Sequence, residues 1–261
     1  MSTKIPPPLE VLDSLKARAF EEPKKRISAE ADLERFQYTQ GFNVIGQFLT
    51  QLNRALCPRK IPGQTEGVKP ATASSSDSQQ DTSKPDASSS LMKPPDSLNL
   101  FQRQKKTETT PVETFTINSK REDPPSVKNL QALHEKLKSF IDEAPPSKEP
   151  RRFGNASFRV WHKLLEQRAD ELLREFLPGV VLDFPHVGDI SPLVELRAYF
   201  LGSFGSSTRL DYGTGHELSF LAFLGCIWKL GGFKDGYGGS SGDLERSIVF
   251  GVFEPLSLTF P

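Results

Sequence analysis

The stretch Glu217-Leu-Ser-Phe-Leu-Ala-Phe-Leu-Gly-Cys-Ile-Trp-Lys229 is apolar on nearly every face when it is drawn as a helix. A helix that is hydrophobic all round belongs in the interior of a protein. The apolar run from Leu218 to Leu230 contains Lys229 and is shorter than the roughly 20 residues that a membrane-spanning helix needs. We therefore expect a central buried helix, with the rest of the fold packed around it.

Helical periodicity continues on both sides of this stretch. Ser28, Ser126 and Ser191 are expected to begin helices, because a serine hydroxyl can cap the first free N–H groups of a helix. These three helices are expected over residues 28–57, 126–144 and 191–200. Two more are expected over residues 155–177 and 243–253, and the second of these begins at Asp243 and ends before Pro255. No strand-like alternation stands out. The expected fold class is all-α, with many helices.

Residues 61–124 interrupt this pattern. Between Ala71 and Ser90 nearly every residue is Ser, Asp, Thr, Gln, Lys, Pro or Ala, which leaves little apolar surface to offset the entropy of ordering. We expect a disordered insertion, either a tolerated loop or a phosphorylatable tether that binds a partner. The expected segments are an N-terminal helical part (1–60), the insertion (61–124), the main helical part (125–253) and a divergent end (254–261).

Charge and cysteine usage exclude several classes of protein. Lys and Arg number 33, as do Asp and Glu, and the formal net charge is zero, so no nucleic-acid partner is expected. The N-terminus lacks the apolar core of a secretory signal, and no membrane partner is expected. The two cysteines, Cys57 and Cys226, are too few for a disulfide framework and are expected to be buried thiols in a reducing compartment.

A Gly-rich segment leads into the apolar stretch and reads Gly202-Ser-Phe-Gly-Ser-Ser-Thr-Arg-Leu-Asp-Tyr-Gly-Thr-Gly-His-Glu217. A loop of this kind at a helix N-terminus exposes backbone N–H groups that can hold a phosphate. Arg209 would add a cation, and Asp211 or Glu217 could hold Mg²⁺ or orient Arg209. The alternative is a plain helix connection with glycines at positive φ and Asp211 paired with Arg209. Both stay open, because the segment is neither a Walker loop nor a dinucleotide fingerprint.

The sequence does not predict the motifs of zinc proteases, Ser-His-Asp hydrolases or ATP-dependent transferases. His216-Glu217 and His134-Glu135 each lack a second histidine at the spacing of a zinc protease, and a nucleophile elbow for Ser-His-Asp catalysis is not predicted. An ATP-dependent transferase that uses the Gly-rich segment would need a general base, and none can be placed from the sequence.

The block Arg209-Leu-Asp-Tyr-Gly-Thr-Gly-His-Glu217, preceded by Tyr199-Phe-Leu-Gly-Ser-Phe-Gly, closely resembles the signature of the phosphotyrosyl phosphatase activator family. Members of this family activate serine/threonine protein phosphatase 2A. The same resemblance extends to four further blocks, namely Arg152-Phe-Gly-Asn-Ala-Ser-Phe-Arg-Val-Trp161, Ile141-Asp-Glu-Ala-Pro-Pro146, Pro23-Lys-Lys-Arg-Ile27 and Phe48-Leu-Thr-Gln-Leu-Asn53. It is strong over residues 125–253 and fair over residues 20–60, and the insertion resembles the long inserts of the fungal branch.

The resemblance implies an all-helical fold of core, linker and lid lobes, in the cytoplasm and nucleus. It implies a protein that acts on the phosphatase 2A catalytic subunit together with the scaffold subunit. The implied activity is peptidyl-prolyl cis-trans isomerisation of a proline-containing segment, dependent on ATP and Mg²⁺ at a site shared with the phosphatase. The family's nucleotide contacts map to Arg209, Thr214 and Gly215, and Asp211 matches the acidic catalytic position. Isomerisation breaks no bond, so no nucleophile is expected.

The sequence departs from the family pattern after Asp243-Leu-Glu-Arg-Ser-Ile-Val249. The family continues with further helices and a Gly-Val-Trp-Gly-Leu-Asp-Asp-like block that helps to bind nucleotide and metal, whereas this chain continues as Phe253-Glu-Pro-Leu-Ser-Leu-Thr-Phe-Pro261. We expect a C-terminally truncated or alternatively spliced product, or a wrongly assigned gene. The alternatives to an isomerase are therefore a non-catalytic scaffold that binds the phosphatase and an inactive truncated product.

Overall fold

The computed structural model describes residues 7–60, 112–146, 155–238 and 242–259. The helices in these ranges are α1 (Glu30–Phe36), α2 (Gln40–Leu56), α3 (Pro125–Glu143), α4 (Ser157–Phe176), α5 (Gly179–Leu182), α6 (Pro192–Gly202), α7 (Thr214–Lys229), α8 (Asp243–Ile248) and α9 (Glu254–Thr259). A 3₁₀ turn (Lys234–Gly236) follows α7, and a π-helical segment (Val249–Phe253) joins α8 to α9. Two-residue strands occur as β1 (Arg18–Ala19), β2 (Arg59–Lys60), β3 (Val112–Glu113) and β4 (His186–Val187). The all-α prediction is confirmed.

The chain divides into two compact units. The first comprises residues 1–57 and 115–261 and contains all nine helices of the described ranges, with β1 and β4 paired in parallel. The second comprises residues 58–114, and in its described part β2 and β3 form an antiparallel pair. Residues 61–111 of the predicted insertion lie outside the described residues, as do residues 152–154 of the family-like block.

Helix α7 lies at the centre of the first unit. Phe223 and Leu224 are fully buried, and Phe220 and Ile227 are each 1 % exposed, so the prediction of a central buried helix is confirmed. α6 packs along α7, and α4 packs on both α3 and α6. Across the described ranges, no helix has the length and apolar character needed to cross a membrane.

The starts of three helices differ from the predictions. The single helix expected over residues 28–57 is two helices, because the Thr39 hydroxyl accepts a 3.2 Å hydrogen bond from Phe42 N and so begins α2. Ser126 does not cap α3: its N–H and its hydroxyl both donate to the Asp235 carboxylate, at 2.7 Å each. Asp243 is the first residue of α8 rather than its cap, and its carboxylate accepts from the Arg246 guanidinium.

The helical path continues past Pro255, contrary to the prediction. α9 begins at Glu254, so Pro255 lies in its first turn. The π-helical segment runs directly into α9, with Glu254 N donating to Val249 O, so the regular i→i−4 hydrogen bonding is already interrupted next to Pro255 and proline is tolerated there. Leu256 is 2 % exposed, which places this turn against the core.

The two cysteines differ in environment. Cys57, just after α2, is exposed, so the prediction that it is buried is wrong. Cys226 lies on α7, where burial raises the pKa of its thiol to about 12. The Cys226 thiol is therefore protonated and unreactive at neutral pH.

His134 on α3 is buried without a full set of partners. It is 4 % exposed, and its Nδ1 is the buried side-chain polar atom that lacks a hydrogen-bond partner among the described residues. Its ring lies 5.7 Å from that of Phe220 on α7. Burial, assisted by Lys138 and opposed by Glu135, lowers the pKa of His134 to about 4.

This histidine makes stability fall in mild acid. The unfolded chain takes up the proton near the ordinary pKa of 6.5, whereas the folded chain resists it until about 4. The stability that comes from the neutral form of His134 is therefore fully present above pH 6.5 and is lost as the pH falls. The free energy of unfolding should decrease by about 2 kcal/mol between pH 7 and pH 5 for this reason. Urea unfolding at both pH values should show a smaller loss for His134→Leu than for the wild type. An equal loss in both proteins would contradict the prediction.

Candidate functional site

The Gly-rich segment forms the connection between α6 and α7. Its N-terminal part is anchored to the core, since Phe204 is 1 % exposed and packs edge-on against Phe200 at 5.0 Å. The Ser203 hydroxyl donates to Tyr199 O at 2.7 Å, which ties the end of α6 to the segment. Residues 206–215 then lie near the surface, next to the start of α7.

The middle of the segment closes on itself in a tight turn. Leu210 N donates to Ser206 O at 2.7 Å, and Ser206 N donates to Asp211 O at 3.0 Å. Ser206 also accepts at its hydroxyl from Arg209 N, at 3.1 Å. Leu210 has φ +58°, and it is the non-glycine residue with positive φ in the described part of the chain. A bulky residue in this region carries backbone strain, which surrounding contacts must hold in place.

Arg209 and Asp211 form an ion pair at the tip of the turn. Arg209 Nε donates to Asp211 Oδ2 at 2.7 Å, and the side chains are 67 % and 49 % exposed. This hydrogen bond raises the pKa of Arg209 and lowers the pKa of Asp211. The predicted pairing is confirmed. The bond uses Nε, so the two terminal nitrogens of the guanidinium lie outside it.

The other two predicted site residues, Thr214 and Gly215, begin α7. Both are exposed, and the preceding Gly213 is extended at φ −171° with no side-chain cap. A Cβ added at Gly213 or Gly215 would meet nothing within 4 Å. The space beside these two glycines is thus open. His216 N donates to Gly213 O at 2.8 Å, and the N–H groups that remain exposed at such a helix start attract an anion. Glu217 in the first turn adds a negative charge nearby.

His216 fixes the start of α7 to the end of α6. Its Nδ1 lies 2.7 Å from Gly202 O and, because a carbonyl can only accept, the imidazole donates there. The ring stacks on Tyr212 with centroids 5.6 Å apart. Partial burial, with a smaller contribution from Glu217, raises the pKa of Tyr212. His216 and Tyr212 therefore shape the loop.

Helix α4 supplies residues of the site that motif reading did not assign. Arg159 Nε donates to Ser207 O at 3.1 Å, a contact between residues 48 apart in sequence. His162 Nδ1 lies 3.2 Å from Glu166 Oε1, and burial lowers the pKa of His162 although Glu166 opposes the shift. An open groove of about 520 Å³ runs beside the loop and is lined by Arg159, His162, Lys163, Glu166, Ser207 and Thr208. The signal was in the sequence: Phe158 and Arg159 belong to one family-like block, and Ser207 lies beside another.

The residues present fit the phosphate part of Mg²⁺-ATP better than its metal. Arg209, Thr214 and Gly215 lie within seven positions of each other, at an open helix start suited to phosphate. Within the described ranges, no three His, Cys, Asp or Glu side chains are grouped so that they could hold a metal ion. Mg²⁺ is commonly held by substrate phosphates and one or two carboxylates. Asp211 and Glu217 are the carboxylates of this loop.

A family model described as phosphotyrosyl phosphate activator (PTPA) protein matches residues 23–258. The chain belongs to this family. The match includes every residue of the turn and the start of α7, so the ion pair of Arg209 and Asp211 lies inside the PTPA domain. The family resemblance read from the sequence is confirmed.

Relatives of this PTPA-family chain carry a consistent name. It is similar to proteins named serine/threonine-protein phosphatase 2A activator 1 from Emericella nidulans (40 % identity; 94 % of this chain, 46 % of the relative) and Aspergillus fumigatus (39 %; 95 % and 43 %). It is 48 % identical to the Neurospora crassa protein of that name (52 % and 27 %). The chain is 37 % identical in sequence to the crystal structure of the PP2A phosphatase activator Ypa1 PTPA1, with a TM-score of 0.41. The match covers 55 % of this chain and 43 % of that structure's chain. The chain spans less than half the length of these relatives.

Proposed function

We propose that this chain acts as an activator of serine/threonine protein phosphatase 2A. The observation that carries the proposal is the PTPA family match over residues 23–258, which contains the exposed pair of Arg209 and Asp211. Relatives named as activators of this phosphatase align over more than nine-tenths of the chain. The partner is the catalytic subunit of the phosphatase, together with its scaffold subunit, in the cytoplasm and nucleus.

We further propose that the loop binds the phosphates of ATP. Arg209 contributes a guanidinium whose terminal nitrogens lie outside the pair with Asp211, and Thr214 and Gly215 contribute the N–H groups at the open start of α7. Bound Mg²⁺ would neutralise the phosphate charge. The described part of this chain groups too few side chains to hold the metal ion by itself, so we propose that the phosphates and side chains of the phosphatase would hold it.

The proposed reaction is cis-trans isomerisation of a prolyl bond in the partner. Its barrier of about 18–20 kcal/mol is lowered by any site that binds the twisted bond more tightly than the planar one. Asp211 is the proposed catalytic residue, held in one orientation by Arg209 Nε. The site needs placed donors and acceptors, and the turn at residues 206–211 provides them without a nucleophile.

A non-catalytic scaffold that binds the phosphatase is the second candidate. Two observations favour it: Asp211 and Arg209 are largely exposed, and the described ranges hold no grouped set of metal ligands. Measured prolyl isomerisation separates the two candidates. A scaffold would co-purify with the phosphatase and leave the isomerisation rate of a proline peptide unchanged.

The test is reactivation of purified phosphatase 2A by the full chain with ATP and Mg²⁺. Arg209→Ala and Asp211→Ala should each lower the rate about tenfold or more, equivalent to at least 1.36 kcal/mol of lost transition-state binding. An exposed ion pair contributes less than about 1 kcal/mol to folding, so the variants stay folded. Arg26→Ala is the matched control, because Arg26 and Glu21 form an ion pair 79 % and 81 % exposed outside the site. Equal rates in all four proteins would overturn the proposal.

A further inference from the structure

A cavity of about 470 Å³ lies between the segment around β1 and the helices α2, α6 and α7. Small-molecule sites in proteins have volumes of about 300–1,000 Å³, so the cavity has the size of a ligand pocket. Ala222, Cys226 and Lys229 recur at helical spacing and form the wall from α7, and Glu195 and Tyr199 form the wall from α6. Packed helices thus provide most of the cavity wall.

The wall that α2 contributes is largely apolar. Val44, Ile45 and Phe48 line it, and Leu12 and Phe20, on either side of β1, extend the apolar lining. An apolar molecule that enters the cavity removes this surface and its own surface from water, which is favourable. The α2 wall therefore suits the hydrocarbon part of a ligand.

Polar groups gather on the walls from α6 and α7. Glu195, Tyr199, Cys226 and Lys229 lie close enough for their charges to affect one another. The Tyr199 hydroxyl has no hydrogen-bond partner among the described residues. Burial, with smaller contributions from Cys226 and Glu195, raises the pKa of Tyr199 to about 12, so the hydroxyl stays protonated at neutral pH. It can therefore donate a hydrogen bond to a ligand.

Two cations line the cavity without an ion-pair partner. Lys229 is half-buried and Arg18 is exposed, and neither forms an ion pair with a carboxylate in the described part of the chain. Glu195 is the one carboxylate of the lining, and burial raises its pKa although a hydrogen bond from the main chain of Glu21 and the charge of Lys229 oppose the shift. With two cations against one carboxylate, the ionised lining is balanced by a single negative charge.

The cavity is separate from the loop between α6 and α7. Lys229 follows Thr214 by 15 residues on α7, which places it about 22 Å along the helix axis at 1.5 Å per residue. Neither Arg209 nor Asp211 lines the cavity. A ligand in the cavity leaves the proposed phosphate contacts free, and its binding can be measured without the phosphatase.

We propose that this cavity binds a small amphipathic anion, a molecule with an apolar body and one carboxylate. The apolar body lies against the α2 wall, and the carboxylate accepts hydrogen bonds from the Lys229 ammonium and the Tyr199 hydroxyl, with Arg18 as a second positive charge nearby. Hydrogen bonds between ionised groups are roughly twice as strong as neutral ones. A ligand of this class supplies partners to the two donors that lack them within the described residues.

The test is isothermal titration calorimetry of the full chain with sodium decanoate, whose alkyl chain and single carboxylate make it a probe of this class. One decanoate should bind per chain. Octanoate should bind about tenfold more weakly, because it buries two methylene groups fewer. Decylammonium, which has the same alkyl chain and the opposite charge, should bind at least tenfold more weakly than decanoate.

Two substitutions assign the binding to the cavity. Lys229→Gln should weaken decanoate binding about tenfold, because it removes the ammonium group. Ala222→Trp should weaken it at least tenfold, because the larger side chain fills part of the cavity. The matched controls are Lys136→Gln and Ala132→Trp, at exposed positions on α3 outside the lining, and both should bind decanoate as the wild type does.

Three results would overturn the proposal. The first is no saturable binding of decanoate by the wild type below its micelle concentration, and the second is equal binding of decanoate and decylammonium. The third is wild-type affinity in both Lys229→Gln and Ala222→Trp, which would place decanoate elsewhere on the protein. If Ala222→Trp does not fold, Tyr199→Phe takes its place. Loss of the hydroxyl alone should weaken binding several-fold, and unchanged affinity in Tyr199→Phe and Lys229→Gln would exclude the cavity.

Discussion

Replacing Phe200 by alanine is expected to lower the free energy of unfolding by about 3–5 kcal/mol. Phe200 on α6 is fully buried, with ring centroids 5.0 Å from Phe204 and 5.3 Å from Phe223. Truncation removes the transfer free energy of the ring and leaves a cavity between α6 and α7, which rigid neighbours fill only in part.

Urea unfolding of the full chain measures this effect. Phe42→Ala is the control, since it deletes the same ring at a position on α2 that is 44 % exposed and contacts Phe36 at its edge, 5.6 Å away. The control should lose about 1 kcal/mol or less, because its cavity opens to solvent. Similar losses for Phe200→Ala and Phe42→Ala would show that α6 and α7 do not share a close-packed interior.

The aromatic cluster around Phe200 also holds the loop that carries the candidate site. Phe204 lies 5.8 Å from Trp161 on α4, and Trp161 Nε1 donates to Leu137 O on α3 at 3.2 Å. The N-terminal end of the loop is therefore packed on α6 and α4, and Trp161 connects it to α3. A loop on such a base can hold the strained Leu210 and the pair of Arg209 and Asp211 in one geometry, which a site on a mobile connection could not do.

The sequence predicted those features that depend on neighbouring residues. The central position of α7 is predicted because a helix that is apolar on every face is stable only in the protein interior. The Arg209–Asp211 pair is predicted because the two residues are two positions apart. Features that depend on distant residues were missed. The local sequence predicts Ser126 as a cap, but its partner Asp235 lies 109 positions away. No local pattern distinguishes a serine that caps its own helix from one that donates across the fold.

The same limit explains why α4 was not assigned to the candidate site and why the packing of the N-terminal segment was not predicted. The contact from Arg159 to Ser207 spans 48 positions, and that from Trp228 to Leu9 spans 219. Family resemblance partly compensates, because two blocks that carry it, around Phe158 and around Asp211, meet in the fold. Resemblance says that such blocks belong together, and the structure supplies the hydrogen bonds that join them.

Replacing Gly205 by alanine is expected to distort the loop that carries Arg209 and Asp211. Gly205 has φ +95°, a region that L-residues enter at a cost of about 1–2 kcal/mol. A Cβ there would lie 2.9 Å from Asp211 O and 3.1 Å from Phe158 Cζ. The Asp211 carbonyl is the one that accepts from Ser206 N and closes the turn, so it cannot move without opening the turn. We expect a loss of about 2–5 kcal/mol in stability, since overpacking adds about 1–3 kcal/mol to the backbone cost.

Gly213→Ala in the same loop separates this steric effect from a general intolerance of the loop to substitution. Gly213 is extended at φ −171°, a conformation open to any residue, and a Cβ there would meet nothing within 4 Å. Its stability should change by about 0.5 kcal/mol or less. Urea unfolding gives the stability, and the phosphatase assay, run where both variants are folded, gives the activity. Gly205→Ala should reactivate the phosphatase as poorly as Asp211→Ala, because both remove the carboxylate from its position beside Arg209. Full reactivation by a folded Gly205→Ala chain would show that the closed turn is not the active form of the loop, and Asp211 would then act from a different conformation.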